Sequence, residues 1–396
     1  MRRAAQAARF ANAELYLELS GGATGVSPEI ITMSPVEPVQ SGLADSGGKP
    51  PVVWLVTGYR AGERNQVIAL GEALGWPFEL KELDYRSTEF RTSLFRGSDL
   101  RGIRQDSSSP LVAPWPDLVI SAGMRNEPVC RWIRDQQGGT TRIVHIGRPW
   151  AHLDHFDLIV TTPQYRLAEH PKVLQNTLTL HRVTPQRLEQ EAVRWRKPFA
   201  QLPGPRTAVI LGGNSGPYTL GPKNAHAIAQ QVNAQARQRG GSLMISTSAR
   251  TSPAVIDIFE REISAPHVLY RWRPEDTENP YFGMLALCDD LVVTADSISM
   301  LSEACATGKP VWMAPLGGYG YLMREDRDIP VDFRLSAWSY SLMMRWGHPR
   351  LSRDIRLVHQ RLLEQGRVAW LGEPPAVSVS SSDDMERAVA RVRALF

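Results

Sequence analysis

Short runs of apolar and β-branched residues recur along most of this chain, separated by longer amphipathic segments. Runs of about four to eight such residues, bounded by turn residues, are typical of strands buried in a parallel sheet. The longer segments between them can form helices. The first series of predicted strands covers 52–56, 78–83, 117–121, 142–146 and 158–162. Helices are predicted in the gaps, most clearly over 66–74 and 127–135.

A second series follows the segment Pro203-Gly204-Pro205, which we interpret as a hinge. Its strands are predicted at 208–211, 243–247, 267–270, 291–294 and 311–314, and its helices at 223–238, at 253–262 and on both sides of 291–294. Strands that alternate with helices at this spacing indicate a doubly wound parallel sheet in each half. We therefore expect an α/β protein with two Rossmann-like lobes, at 50–203 and 204–372.

The two ends of the chain differ from these lobes. Residues 1–49 contain a stretch dominated by Gly, Ser and Pro, and neither a secretory signal nor a transit peptide is recognisable, so we expect a flexible tail. Residues 373–396 are predicted to be a linker and a helix, at 383–395, that packs back on the first lobe.

Composition places the chain among globular proteins. Its 396 residues suffice for two domains, and 42% are apolar and 22% charged. The sequence contains no run of about 18 apolar residues, so no membrane-spanning helix is predicted. Cys130, Cys288 and Cys305 are scattered without the spacing of a metal site, so we expect reduced core thiols and a cytoplasmic location.

The net charge of +4 permits anionic partners such as phosphates and lipid headgroups. Nucleic acid is the weakest candidate, because the sequence has no zinc-finger spacing, no RNA-binding aromatic motif and no dense block of Lys and Arg.

The most informative stretch begins with the predicted strand at 291–294. Ala295-Asp296-Ser297 turns the chain, Ser297 and Ser299 can cap the helix that follows, and Gly308 ends it. A helix that begins at the carboxyl edge of a parallel sheet attracts phosphate groups. Glu303, on the same helix, could accept hydrogen bonds from a ribose diol, or it could be a solvated surface carboxylate.

Three other loops fall at the same predicted edge. Gly212-Gly213-Asn214-Ser215 could hold an anion, although such glycine loops are more often only tight turns. Ser248 and Arg250 lie on a hydroxyl-rich loop suited to phosphate oxygens, or at the capped start of a surface helix. Trp272 could flank a nucleobase or belong to the core. Their convergence on one edge favours a ligand site.

Two resemblances extend this interpretation. Ser302-Glu303-Ala304 followed by Gly308-Lys309-Pro310 resembles the donor-nucleotide motif of GT-B glycosyltransferases, such as the lipid-linked N-acetylglucosaminyltransferase of peptidoglycan synthesis. The glycine loop, Thr247-Ser248-Ala249-Arg250-Thr251, Asn279-Pro280-Tyr281 and the turn at 294–300 occur in the order seen in the mitochondrial fission (elongated-mitochondria) family of plants and its bacterial relatives.

The resemblances imply a GT-B-like fold with an active site in a cleft between the lobes. They imply transfer of a sugar from a nucleotide-diphosphate donor to a cell-envelope, lipid-linked or lipopolysaccharide-type acceptor, with no tightly bound cofactor and no metal. Glu303 would hold the ribose, and Ser297, Ser299, Arg250 and Gly213 the diphosphate. Two alternatives stay open: a non-catalytic membrane-associated adaptor of the mitochondrial-fission type, and a sugar-nucleotide epimerase or hydrolase on the same fold.

The sequence does not identify the general base. Glu63, His145 and Asp296 are the candidates, and each has a structural alternative: a helix cap, a strand residue and a turn residue.

The stretch 85–104 interleaves arginines with aromatic and aliphatic residues, which predicts either a peripheral contact with the inner face of a membrane or an ordinary packed insertion. Acidic residues at 325–328 are interpreted as solvated surface.

Overall fold

The structure of the protein, a computed structural model, describes residues 50–86, 97–274, 276, 278–324, 326–376 and 383–396. The predicted tail at 1–49 and much of the arginine-rich stretch at 85–104 lie outside these residues. The described chain forms two units. The N-terminal unit runs to Arg182 and includes Arg353–Arg361 and 383–396, and the C-terminal unit comprises Val183–Ser352 and continues from Leu362. The boundary at Arg182 lies ahead of the expected hinge.

Strands and helices alternate along most of the described chain. The strands are β1 Val53–Thr57, β2 Phe78–Glu82, β3 Leu118–Ala122, β4 Arg142–Ile146, β5 Leu158–Thr161, β6 Val173–Gln175, β7 Arg206–Ile210, β8 Ser242–Ser246, β9 His267–Tyr270, β10 Asp290–Thr294, β11 Val311–Ala314 and β12 Ala369–Trp370. The helices are α1 Ala61–Leu74, α2 Glu127–Gln136, α3 Pro185–Trp195, α4 Pro222–Arg239, α5 Pro253–Glu262, α6 Tyr281–Leu287, α7 Ile298–Cys305, α8 Leu335–Trp346, α9 Arg356–Glu364 and α10 Asp384–Arg393.

The N-terminal unit is built on a parallel sheet with the strand order β2-β1-β3-β4-β5-β6 among its described residues. Alternate strand residues face two cores, as the period of two requires. Leu55 and Ile120 lie in a core that also contains Val392 of α10, whereas Val119 packs on the other face with Ile133 of α2. The inner strands are therefore buried on both faces, which explains why β1, β3 and β5 are nearly continuous apolar runs.

The C-terminal unit has a second parallel sheet, with the order β12-β11-β10-β7-β8-β9 among its described residues. Counted within the unit, this is the order 6-5-4-1-2-3 of dinucleotide-binding folds, in which the direction of winding reverses between the first and fourth strands. Those strands are β7 and β10, which pair directly, with Ile210 opposite Val293. Their carboxyl ends are therefore level at the reversal point.

The expected α/β fold class with two Rossmann-like halves is confirmed by the two sheets. All ten predicted strands are present, with ends within two residues of the prediction. Helix α1 begins at Ala61, five residues before the predicted start. Arg60, which precedes the helix, makes no side-chain capping hydrogen bond, so no capping residue in the sequence marks this start. The edge strands β6 and β12 are too short to show a pattern in the sequence.

Candidate functional site

The loops after β7 and β10 meet at the reversal point of the C-terminal sheet. The Gly212 amide donates a hydrogen bond to Oγ1 of Thr294, at 2.8 Å, and the Gly213 amide donates to Oδ2 of Asp296, at 3.0 Å. In doubly wound sheets this point, outside the carboxyl ends of the strands, is where ligands bind. The two loops that were predicted to share one edge are thus joined directly.

Both glycines are required by the packing of these loops. A Cβ atom at Gly212 would lie 2.5 Å from both carboxylate oxygens of Asp296. At Gly213 it would lie well inside van der Waals contact with the backbone carbonyl oxygen of Arg250. Because both contacts are made within the protein, the glycine pair is explained by close approach of one loop to another.

Asp296 organises the centre of the site. Its side chain is fully buried, and its carboxylate accepts hydrogen bonds from the Thr294 hydroxyl, at 2.7 Å, and the Gly213 amide. It also forms an ion pair of 2.9 Å with Nη1 of Arg250, whose side chain is 42% exposed. A carboxylate that accepts from three donors and has no exposed surface is poorly placed to remove a substrate proton. Asp296 instead positions Arg250.

The other residues of the glycine loop and of the loop after β8 form hydrogen bonds within and between these loops. Arg250 Nη1 also donates to the carbonyl oxygen of Asn214, at 3.0 Å, and the Ser248 hydroxyl donates to the carbonyl oxygen of Gly212, at 3.0 Å. The Asn214 side chain accepts from the Leu220 amide, at 3.0 Å. Ser215 and Tyr218 exchange two backbone hydrogen bonds of 3.0 Å, which close a tight turn.

Trp272 follows β9, the edge strand of this sheet. Its backbone amide donates to Oγ1 of Thr247, at 2.9 Å, which ties the β9 loop to the end of β8. Its side chain is 37% exposed, so the indole is not a core residue.

Helix α7 starts two residues after Asp296. Ser297 occupies the N-cap position, but its side chain makes no capping hydrogen bond, so the predicted capping by this residue is wrong. Ser299 lies in the first turn and is half-buried. Because the first amides of a helix have no intrahelical acceptor, this end carries a partial positive charge. The predicted placement of a helix N-terminus beside the glycine loop is confirmed.

Glu303 lies on the same helix and is only 8% exposed, so it is not a solvated surface residue. Its Oε2 accepts a hydrogen bond of 2.5 Å from the hydroxyl of Tyr281, the first residue of α6. Burial and the Glu303 carboxylate raise the pKa of Tyr281 well above its usual value, so the hydroxyl stays a donor. In the sequence, Tyr281 belongs to a shared motif but has no predicted role. Tyr281 and Glu303 are 22 residues apart in the sequence, so no local sequence pattern could predict their contact.

The N-terminal unit has a reversal point of its own, between β1 and β3. Glu63, in the first turn of α1, lies there against Gly123, which follows β3 with φ +80°. Its Oε1 forms an ion pair of 3.3 Å with Arg60, and the guanidinium of Arg125 stacks over Tyr59, 4.5 Å from the ring centre. Burial raises the pKa of the Glu63 carboxyl, although Arg60 and Arg125 oppose that rise.

His145 is placed differently from Glu63. It is the fourth of the five residues of β4, is 1% exposed and packs against Phe156 with 5.1 Å between ring centres. Its Nε2 is 3.9 Å from Oε1 of Glu127, which is beyond hydrogen-bonding distance. Burial lowers the pKa of His145 to about 4, so the ring is neutral at pH 7. These properties are those of a structural strand residue.

The three cysteines are core thiols, and the described residues of the acidic run lie at the surface. All three cysteines are buried and free, and burial raises the pKa of each thiol to about 12. Within the described ranges, no group of three or more His, Cys, Asp or Glu residues could hold a metal ion. Asp326, in the acidic run, is exposed and pairs with Arg324, and Glu325 lies outside the described residues. Among the described helices, none is both long and apolar enough to cross a membrane.

Comparison with known proteins identifies a family whose sequence model matches this chain. The model of the family "Mitochondrial fission ELM1" matches residues 61–327. The Mitochondrial fission protein ELM1 of Arabidopsis thaliana is 28% identical over 240 residues, which is 54% of this chain and 55% of that protein. The uncharacterized protein RP120 of Rickettsia prowazekii (strain Madrid E) is 25% identical over 296 residues, 66% of this chain and 82% of that protein. This chain thus spans about half the length of the Arabidopsis relative.

Solved structures with similar folds have little sequence in common with this chain. A UDP-GlcNAc 2-epimerase from Neisseria meningitidis bound to UDP-GlcNAc matches with a TM-score of 0.43 and 13% identity, over 87% of this chain and 100% of that one. The MurG protein of Acinetobacter baumannii matches with a TM-score of 0.38 and 10% identity, over 87% and 100%. The family match, by contrast, covers most of the sequence, from α1 to beyond β11, and the chain belongs to the mitochondrial fission ELM1 family.

Proposed function

We propose that this protein is a glycosyltransferase whose C-terminal unit binds a nucleotide-diphosphate sugar and whose acceptor is a cell-envelope or lipid-linked glycan. One observation carries the proposal. At the reversal point of the C-terminal sheet, the guanidinium of Arg250 is paired with Asp296, two residues before the start of α7. The buried carboxylate of Glu303 lies on the same helix. These are the groups that a diphosphate and a ribose need.

The diphosphate would bind at the start of α7. Free helix amides and the partial charge of the helix end attract phosphate oxygens there. Arg250 adds a guanidinium group, which is partly exposed and is held in place by its ion pair with Asp296, two residues before the helix. Such a group can bind phosphate oxygens in a bidentate manner. Ser299, in the first turn, would add a hydroxyl group.

The nucleoside would lie farther along the same edge of the sheet. Glu303 would accept hydrogen bonds from the ribose hydroxyls, and the Tyr281 hydroxyl would orient the carboxylate for that contact. Trp272, partly exposed after β9, offers an indole face for the nucleobase.

Catalysis needs a base for the acceptor hydroxyl and stabilisation of the leaving diphosphate. Of the three candidate bases we propose Glu63, because burial raises its pKa towards the working pH while 27% of its side chain is exposed. This choice assigns acceptor binding to the N-terminal unit. The leaving diphosphate would be stabilised by the α7 end and Arg250, without a metal or a tightly bound cofactor. The reduced thiols fit a cytoplasmic location, which is part of the proposal.

Calorimetric titration tests the donor site. Purified protein is titrated with UDP, GDP, CMP and ADP, and the nucleotide that binds best is titrated into Glu303→Ala and into Glu189→Ala, an exposed carboxylate on α3. We expect Glu303→Ala to weaken binding by about tenfold, or roughly 1.4 kcal/mol, and Glu189→Ala to leave it unchanged. If no nucleotide binds the wild-type protein, the donor-site proposal is wrong.

Turnover is tested separately. Release of nucleoside diphosphate from the matching sugar nucleotide is followed with membrane-extracted glycolipid as acceptor, for wild type, Glu63→Gln and Glu72→Gln, a control on the same helix. We expect Glu63→Gln to lower kcat by about a hundredfold without changing nucleotide affinity. Isomerisation of the sugar nucleotide without an acceptor would indicate an epimerase, and acceptor-independent release a hydrolase.

The second candidate is a non-catalytic adaptor. It is favoured by the family itself and by the Arabidopsis relative, whose name is that of a mitochondrial fission protein. Nucleotide binding without turnover of any sugar nucleotide, together with retention of other proteins on the immobilised chain, would support the adaptor over the enzyme.

A further inference from the structure

Helix α8 presents its large apolar side chains to solvent. The residues that it buries are small: Ala337, at 0% exposure, and Ser341, at 5%. The residues that it exposes are Leu335, at 67%, Trp338, at 46%, Leu342, at 40%, and Trp346, at 78%. A helix on the surface of a water-soluble domain normally has the opposite arrangement.

The exposed residues form one continuous stripe. They recur at intervals of three, four and four positions, which places them within an arc of roughly 80° on a regular helix. Two further exposed apolar residues flank the helix: Phe333, 75% exposed, lies two residues before it, and Leu351, 48% exposed, lies five residues after it. We call these six residues the α8 patch. Single exposed apolar residues are ordinary, but a contiguous patch indicates an interaction surface.

Charge narrows the choice of partner. The sequence from Phe333 to Ser352 contains no Asp or Glu, but it contains Arg334, Arg345 and Arg350. Arg345 is exposed, and its guanidinium lies 5.5 Å from the ring centre of Trp346. A second copy of the chain would bring the same cationic patch against itself without acidic residues to balance it. The complementary surface is therefore apolar and negatively charged.

We propose that the α8 patch docks on the surface of an anionic lipid bilayer. The Trp and Leu side chains would enter the interface between headgroups and acyl chains, and the exposed Arg345 and Arg350 would lie among the phosphates. Arg334 is not part of this contact, because its guanidinium donates to carbonyl oxygens of the protein. This contact is peripheral. It lies on the C-terminal unit, and it uses different residues from the arginine-rich stretch at 85–104 and from those proposed to bind the nucleotide.

Vesicle flotation of the full chain tests the proposal. Vesicles of phosphatidylcholine alone are compared with vesicles that contain about one-third phosphatidylglycerol, at low and physiological salt. Three variants are compared with wild type: the double variant Trp338→Ser/Trp346→Ser, the charge reversal Arg345→Glu, and the control Val193→Ser. Val193 is 68% exposed on α3 and lies outside the patch. Melting temperatures confirm that each variant is folded.

We expect wild type and Val193→Ser to float with anionic vesicles and not with neutral ones. The double Trp variant should bind at least about tenfold more weakly, because it loses its interfacial anchors. One arginine near the surface strengthens binding to an anionic bilayer by about fivefold. The charge reversal Arg345→Glu should therefore weaken binding by more than that. Because Arg345 is exposed, that variant folds even if the double variant does not.

Three results would overturn the proposal. The first is no binding of wild-type protein to anionic vesicles. The second is binding that survives both patch variants, which would assign the contact to another surface. The third is a wild-type dimer, seen by light scattering, that Trp338→Ser/Trp346→Ser dissociates while vesicle binding is absent. That result would make the patch an interface between copies.

Discussion

Replacing Asp296 with Ala should destabilise the C-terminal unit substantially, because the loops after β7 and β10 meet on this one carboxylate. The substitution removes the acceptor for the Gly213 amide and the Thr294 hydroxyl, and it removes the ionic partner of Arg250. It also opens space beside Gly212, whose backbone is packed against the carboxylate.

The expected cost follows from these contacts. Each buried donor left without an acceptor costs about 1–3 kcal/mol. The ion pair adds only about 0–1 kcal/mol, because Arg250 is 42% exposed and solvent screens it. Two such donors and the ion pair together give about 2–7 kcal/mol. A loss in the middle of that range lowers the melting temperature of a unit of this size by roughly 10–15 °C. Asp296→Asn keeps an oxygen acceptor and the shape, so we expect about half of that loss.

Differential scanning calorimetry at pH 7 measures both variants. Asp257→Ala, an exposed carboxylate on α5, is the control and should leave the melting temperature unchanged. A fall of less than about 2 °C in Asp296→Ala, under about 1 kcal/mol, would show that the carboxylate does not hold the loops. If Asp296→Asn keeps its stability but loses turnover, while Glu63→Gln stays active, Asp296 is the general base after all.

Three further predictions concern residues around the sites. Tyr281→Phe removes the hydrogen bond to Glu303, so calorimetry should show nucleotide binding weakened by about fivefold, equivalent to about 1 kcal/mol, with Glu303→Gln giving a similar loss. Gly213→Ala forces a methyl group against the backbone of the β8 loop, so urea unfolding should show a loss of about 1–3 kcal/mol; an unchanged midpoint would contradict the tight approach of the loops. His145 is buried with a pKa of about 4, against an unfolded value near 6.5, so the folded protein disfavours its protonation. Stability should be complete above about pH 6.5 and fall as the pH drops towards 4, by on the order of 3 kcal/mol, and His145→Gln should flatten that part of the melting-temperature profile.

Much of the fold follows from the sequence because strand and helix periodicity is local. The runs Leu291-Val292-Val293 and Ala208-Val209-Ile210 are apolar on both sides, which identifies buried parallel strands without knowledge of their neighbours. The glycine loop and the start of α7 could be placed at one edge because successive parallel strands end at the same edge. The start of α1 could not be placed, since no capping side chain marks it.

From the sequence alone, ten of the strands could be placed in order, together with the family motifs and the residues near the reversal point. The tertiary structure decided which of these residues touch. The bond from Gly213 to Asp296 spans 83 residues, so no local pattern could show that the carboxylate organises the loops and is not free for catalysis. The side of α8 that packs was decided in the same way. Its Leu and Trp residues fit a buried stripe equally well, but the structure buries Ala337 and Ser341 and leaves that stripe exposed.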